Sequence, residues 1–334
     1  MSAISLGDMA RSFMLRRHTV DLKQNLQRLT NEAAMGRISD TTARVSGDLG
    51  PISGIDVSLG RLKGYGIVTS EAGLFAGAMQ TALGTVDNLA GNLSNSLIST
   101  STGGTAALID AAGKDAEQTL QTALSVLNTR FGDRSLFAGQ ATTGAASVDS
   151  DTLLSALTAA VAGAFSAQDV ETAVSNWFAS PTGYDAVAYQ GGDALAGLTI
   201  ASGEEVRIDV TAKDPALRDT IKGLALAALL NRGVLVGQST GRQDLARRAA
   251  LSLLENKTDR TNVAARLGLV EARIDAAAIR NSNETSALQI ARNNITEADP
   301  YETAINLDET QAQLEKIYAL TARLSRLSLL DYLR

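Results

Sequence analysis

His18 is the only histidine of this 334-residue chain, and it sits in Arg16-Arg17-His18 with Asp21 three residues further on. An imidazole works as a base or metal ligand when a second His, Asp or Glu stands one helical turn away inside a pocket. One such pair on an amphipathic stretch is common by chance, so His18 reads as a surface or interface residue. There is no cysteine, which removes thiol catalysis, thiolate metal sites and disulfides together. The pairs Gly103-Gly104 and Gly191-Gly192 lack the lysine and hydroxyl residue of a phosphate loop, and Gly64-Tyr65-Gly66 stops matching after G-x-G. Glu204-Glu205 lie on a predicted turn and need only solvent. Trp177-Phe178, near Pro181 and Gly183, is the densest aromatic site and reads as a core contact of a small domain. Asn92 and Asn256 open glycosylation-type triplets, but both fall in predicted helices. No constellation carries an enzyme, so no catalytic, cofactor-binding or metal-binding residue and no cofactor is expected.

The elements around these residues are mostly helices. Residues 8–34 form a first helical pattern with Leu22, Leu26, Leu29 and Ala33 on one side. Glycines at 36, 47, 50, 54 and 60 mark residues 35–60 as turns and short irregular pieces. Leu83, Val86, Leu89, Leu93 and Leu97 repeat at helical spacing until Ser99 to Gly104 break the run. Helix resumes near Ala106 and carries Leu120, Leu124 and Leu127. Val263, Leu267, Val270, Ile274, Ala277, Asn281, Glu284 and Leu288 alternate steps of four and three, with Asn281 and Glu284 interrupting the seam. The last stretch, from Ala304, carries Leu307, Leu314, Ile317, Leu320, Leu324 and Leu327. An apolar face that long needs something to cover it.

Between the two helical parts the texture changes. Residues 141–200 hold no lysine or arginine, but they hold Asp149, Asp151, Asp169, Glu171, Asp185 and Asp193. Leu198-Thr199-Ile200 and Val206-Arg207-Ile208-Asp209-Val210 alternate, with Gly203-Glu204 between them, which predicts a hairpin. Helix returns over Leu217 to Leu230. Aromatic residues make up only 4% of the chain, so cores must be built from small residues and packed thinly. The expected fold is mainly α. It is an elongated antiparallel helical bundle with long terminal coiled-coil helices and an inserted small α+β domain. The expected divisions are an N-terminal assembly helix (1–40), the first half of a helical rod (41–140), an inserted outward-facing α+β domain (141–240), the second half of the rod (241–300) and a C-terminal assembly helix (301–334). The candidate assembly residues are Leu22, Leu26, Leu29, Leu307, Leu314, Ile317, Leu320, Leu324 and Leu327.

Charge narrows the partners. A net charge of -6 with no basic cluster argues against nucleic acid. No apolar run approaches a membrane span, and Leu224 to Leu230, the richest, is far too short. The opening Met1 to Asp8 has neither the charged start nor the apolar run of a cleavable signal. The chain is therefore expected to be cytoplasmic, or exported by a route that needs no such signal.

Particular residues now resemble a family. Leu22-Lys23-Gln24-Asn25-Leu26-Gln27-Arg28-Leu29, followed by Ser39, is similar to the first helix and following loop of the flagellins in the broad sense. That family includes the filament subunit and the hook–filament junction protein, hook-associated protein 3. Asn306 and Leu327-Ser328-Leu329-Leu330-Asp331-Tyr332-Leu333 resemble its terminal helix. Phe131-Gly132-Asp133-Arg134-Ser135-Leu136-Phe137-Ala138-Gly139, with its Leu-Phe-Ala-Gly core, is similar to the junction protein where it leaves its second long helix. The opening Ile4-Ser5-Leu6-Gly7-Asp8-Met9-Ala10 departs from the family. The resemblance implies a structural subunit at the hook–filament junction, self-associated in a ring or short tube. Its implied partners are hook-associated protein 1, flagellin and a flagellar export chaperone on the C-terminal helix. It also implies an extracellular place on the flagellum, reached through type III export. A divergent flagellin is the alternative, and a cytoplasmic coiled-coil scaffold a distant one.

Overall fold

The computed structural model describes the backbone of residues 6–332 and the side chains of residues 9–324. In chain order it holds α1 (Leu6–Met35), α2 (Thr41–Arg44), α3 (Gly50–Ser101), α4 (Ala106–Leu127), β1 (Arg130–Phe131), β2 (Arg134–Ser135), α5 (Ser150–Ala160), α6 (Ala167–Ala179), a π-turn (Tyr184–Ala188), β3 (Leu198–Ala201), β4 (Glu204–Val206), α7 (Pro215–Ala228), α8 (Ser239–Glu255), α9 (Lys257–Thr296) and α10 (Pro300–Tyr332). The protein is mainly helical, with two small antiparallel hairpins, β1–β2 and β3–β4. It divides into two compact units, residues 1–61 with 283–334, and residues 62–282.

Aspartates and prolines set three of the helix starts. Asp214 and Asp299 each stand before a proline, and their carboxylates accept the free backbone N–H groups of Ala216 and of Tyr301 and Glu302. Asp48 does the same for Gly50, ahead of Pro51. This corrects the expectation of irregular structure over 35–60, because α3 begins at Gly50 and runs 52 residues. Gly54 and Gly60 cost about 1 kcal/mol each inside a helix. The half-buried Ile52, Ile55 and Leu59, followed by the buried Leu62, step by three and four and supply the apolar face that outweighs them.

In the unit of residues 62–282, one core runs from Phe75 on α3 through α4, the middle segment and α8 to Leu267 on α9. Residues 141–240 therefore share their core with the flanking helices. α4 packs on α7, α7 on α8 and α6 on α8. The Leu-Phe-Ala-Gly motif is the hub: Leu136, Phe137 and Ala138 are all buried. Gly139 turns the chain with φ +57°, and a Cβ there would meet the Asp193 carbonyl oxygen at 2.2 Å. Two arginines tie helix ends inside this core. Arg242 donates to the Leu230 carbonyl and to Asp110, and Arg260 donates to the Leu253 carbonyl and to Asp87. Each guanidinium thus satisfies a carbonyl near the end of the preceding helix, where intrahelical partners run out.

The β3–β4 hairpin turns one residue earlier than expected. Its turn is Ser202-Gly203 rather than Gly203-Glu204, and its second strand ends at Val206. Ile208 and Val210 are buried without forming strand. Ile200 and Val206 pack with Ala72, Ile274 and Ala277. Asn281 is buried, and its amide donates to the Ile200 carbonyl at 2.8 Å.

The unit of residues 1–61 and 283–334 is built differently. α1 packs along α10. The pairing is antiparallel, because Arg37 bridges Glu297, Asn25 meets Thr310 and Lys23 meets Tyr318.

Candidate assembly interface

The expected assembly surface is eight leucines and one isoleucine, and α1 and α10 carry all of them. Leu29 is buried, while Leu22 and Leu26 are half-buried. With the half-buried Leu15 they make one row on α1. Leu307, Leu314 and Ile317 are half-buried on α10. Leu320 and Leu324 are 52% and 39% exposed. The side chain of Leu327 lies outside the described residues.

The helical repeat explains the exposure of Leu320. A seam on α10 that steps by four and three runs Thr303, Leu307, Thr310, Leu314, Ile317 and then Thr321. Continued by three, the same seam reaches Leu324, whereas Leu320 stands one residue before Thr321, beside the seam. Leu320 therefore lies on the flank of the helix, while Leu324 lies on the seam where the described side chains end. Among the described residues the leucines of α10 therefore make one seam row that meets α1 and is less covered toward Leu324, with Leu320 open beside it.

Polar residues hold the register of the pair. The Asn25 amide donates to the Thr310 hydroxyl at 3.5 Å, and Thr310 donates to the Asn306 carbonyl. Arg28 reaches back to Asn25 at 2.6 Å and forward to both carboxylate oxygens of Glu32, at 2.9 and 2.8 Å. Glu32 is 4% exposed and accepts the Ser39 backbone N–H at 2.8 Å. Gly36, with φ +65°, ends α1. The chain beyond it is pinned by two backbone bonds, Ile38 N–H to the Thr296 carbonyl and Ala298 N–H to the Gly36 carbonyl. Glu32, Thr303 and Thr310 were missed in the sequence. A threonine at a heptad position reads as a gap, and a glutamate on a helix reads as a solvated face.

The residues considered for chemistry are placed elsewhere. His18 is exposed on α1. Glu204 pairs with Arg280, so it does more than meet solvent. Phe178 is buried between an edge-on Trp177 and a stacked Tyr184, each with ring centroids 5.2 Å away. Burial pushes the Tyr184 phenol well above its usual range, and its hydroxyl donates to the Ala212 carbonyl. Asn256 is buried, with its amide on the Ala216 carbonyl and the Thr220 hydroxyl. Among the described residues no group of three His, Cys, Asp or Glu side chains could hold a metal ion. No described helix is long and apolar enough to cross a membrane.

A long helix pair with a half-covered seam defines a helical packing module. The model of the bacterial flagellin C-terminal helical region matches residues 253–333, which span all of α9 and all described residues of α10. The fold is similar to that of FlgL from Bacillus cereus, with a TM-score of 0.52 and 13% identity over 72% of this chain and 100% of that one. It is also similar to a Vibrio parahaemolyticus protein assigned to the flagellar hook-associated proteins. There the TM-score is 0.51 and the identity 12%, over 72% of this chain and 94% of that one. At such identities the likeness is one of fold. No curated protein sequence matches the chain significantly.

Proposed function

We propose that this chain is a structural subunit of the bacterial flagellum that joins the hook to the filament, of the hook-associated protein 3 type, and that it is not an enzyme. The α1–α10 pair carries the reading. Its apolar rows are only partly covered within one chain, and α10 lies inside the residues matched by the flagellin C-terminal model. Half-covered helix faces are stabilised by packing on neighbours. The likeness of fold to FlgL supports the junction role. In this reading residues 1–40 and 301–334 are the assembly helices, 41–140 and 241–300 form the rod, and 141–240 face outward. Leu22, Leu26, Leu29, Leu307, Leu314, Ile317, Leu320, Leu324 and Leu327 pack within and between copies. Hook-associated protein 1 lies below, flagellin above, and an export chaperone holds the C-terminal helix before extracellular assembly.

A divergent flagellin is the second reading, favoured by the same flagellin C-terminal match. Electron microscopy of hook–basal bodies from cells lacking the protein separates the two. The junction role predicts hooks without filaments, with the lower junction ring retained and monomeric flagellin in the medium. Complete hook junctions without any filament polymer favour flagellin. Normal flagella would overturn both.

A further inference from the structure

α1 has a second face. Leu15, Leu22, Leu26 and Leu29 make the row on the α10 side, and at 3.6 residues per turn Met9, Phe13 and Val20 fall roughly opposite. Those three are 57%, 65% and 52% exposed. Met14, on the flank, is 67% exposed, and Met35, at the end of α1, is 76% exposed. Three of the chain's five methionines thus stand open on one helix. Met79 is completely buried in the core of residues 62–282, and the side chain of Met1 lies outside the described residues. The chain has no cysteine, so no thiol competes for a mild oxidant.

We propose that Met9, Met14 and Met35 form an oxidation-sensitive modification site, with hydrogen peroxide as the oxidant, and that their sulfoxides stop α1 from entering an assembly. The sulfur lone pair attacks one peroxide oxygen and the O–O bond breaks. The S–O bond forms, and the departing hydroxide takes the proton of the oxygen now bound to sulfur and leaves as water, so sulfur loses two electrons and the peroxide gains them. Each product is a polar, chiral group in place of a flexible apolar one. On an open helix face this does not disturb the folded core, but it places a sulfoxide where a neighbour's apolar surface would pack. Sulfoxide reductases reverse the change, one enzyme per epimer.

The assembly half of this inference rests on the flagellar reading; the chemical half does not. The folded full-length chain is treated with hydrogen peroxide and its peptides are followed by mass spectrometry. Met9, Met14 and Met35 should oxidise together, at least tenfold faster than Met79, and Met79 should catch up in denaturant. Equal rates in the folded chain, or protection of the three α1 methionines, would overturn the site. Treated and untreated protein are then added to hooks lacking the subunit. Oxidised protein should incorporate at least tenfold less and recover after both reductases, while a treated Met9→Leu, Met14→Leu, Met35→Leu variant should incorporate like untreated protein. Equal incorporation of oxidised and untreated protein would overturn the effect on assembly. Failure of untreated protein would instead count against the flagellar reading, with the oxidation pattern judged separately.

Discussion

The two units spend their buried positions in opposite ways. In residues 62–282 the interior is mostly leucine, alanine, valine, isoleucine and phenylalanine, most of it joined in one core from Phe75 to Leu267. In residues 1–61 and 283–334, Leu29 is the one fully buried apolar residue among those described. The others buried there are Glu32, Thr296, Thr303 and Thr310. Burial of apolar surface at about 25 cal/mol per Å² is the main term that offsets chain entropy. The larger unit can meet that cost alone. The smaller unit has its register specified by hydrogen bonds and lacks a comparable apolar interior. Polar seam residues fix alignment at a cost in stability. A helix pair that is well aligned but weakly held is suited to completion by other chains.

The sharpest way to break this contrast is to charge the proposed assembly residues at the far end of α10. In Leu324→Asp with Leu327→Asp, two carboxylates stand where neighbours should pack. Each leucine loses about 1.5–3 kcal/mol if it is fully buried in the assembly, and an unpaired buried charge is disfavoured further. Incorporation at the hook should be abolished, while the thermal midpoint of the purified monomer stays unchanged. Secretion is measured separately, because the same helix is the proposed chaperone site. A secreted double variant that still supports motile filaments would place assembly elsewhere.

Hydrogen exchange on the soluble chain measures the contrast directly. Amides in residues 70–97 and 263–288 should exchange slower than those of α1 and α10 by at least about three orders of magnitude, the gap between global and local opening. Uniform protection along the chain would show that the smaller unit is stable by itself. A pair of truncations sharpens the comparison. Phe137→Ala removes a fully buried side chain from the large core and should cost about 3–5 kcal/mol of its stability. Leu29→Ala should leave the main unfolding transition where it was. A matching loss from Leu29→Ala would mean that both units unfold as one.

Much of this contrast was legible in the sequence, and the illegible part has a physical cause. Spacing of three and four revealed α1, α4, α9 and α10, because that periodicity is the signature of a helix with one buried side. It failed over 50–61, where Gly54 and Gly60 outweighed Ile52, Ile55 and Leu59 in the reading but not in the molecule. The change of composition after Gly139 marked a different surface, but composition does not reveal whose core a segment shares. The Arg242 and Arg260 ties were invisible, since their acceptor carbonyls and carboxylates come together only in the folded chain. In the candidate interface the leucines were evident, whereas Glu32 and Thr310 gain meaning only once α1 lies along α10.

The smallest expected effect tests how the large unit depends on acid. Asp149 caps α5, with its carboxylate accepting the Thr152 N–H at 2.9 Å and the Thr152 hydroxyl at 2.8 Å. Asp169 closes a capping box on α6, accepting the Ser166 hydroxyl at 2.8 Å and the Ser166 N–H at 3.0 Å. Hydrogen bonds from Thr152 hold the first carboxyl below its ordinary value, and the Ser166 hydroxyl does so for the second. Protonation removes the acceptor, so at acid pH the unfolded chain binds more protons than the folded one. The stability from these caps is therefore fully present above the unfolded carboxyl value, about 3.9, and is lost as pH falls through the lower folded values. Thermal midpoints of the wild type and of Asp149→Asn with Asp169→Asn should run parallel from neutral pH down to about 5. Below about 4 the wild-type curve should fall more steeply and converge on the variant, since only the wild type still has these two charges to lose. Both caps belong to residues 62–282, so the exchange of α1 and α10 amides, corrected for the intrinsic pH dependence, should not distinguish the two proteins. A variant as acid-sensitive as the wild type would assign the acid slope to other carboxylates, beginning with Asp244, which Arg248 and Arg247 hold below its usual range.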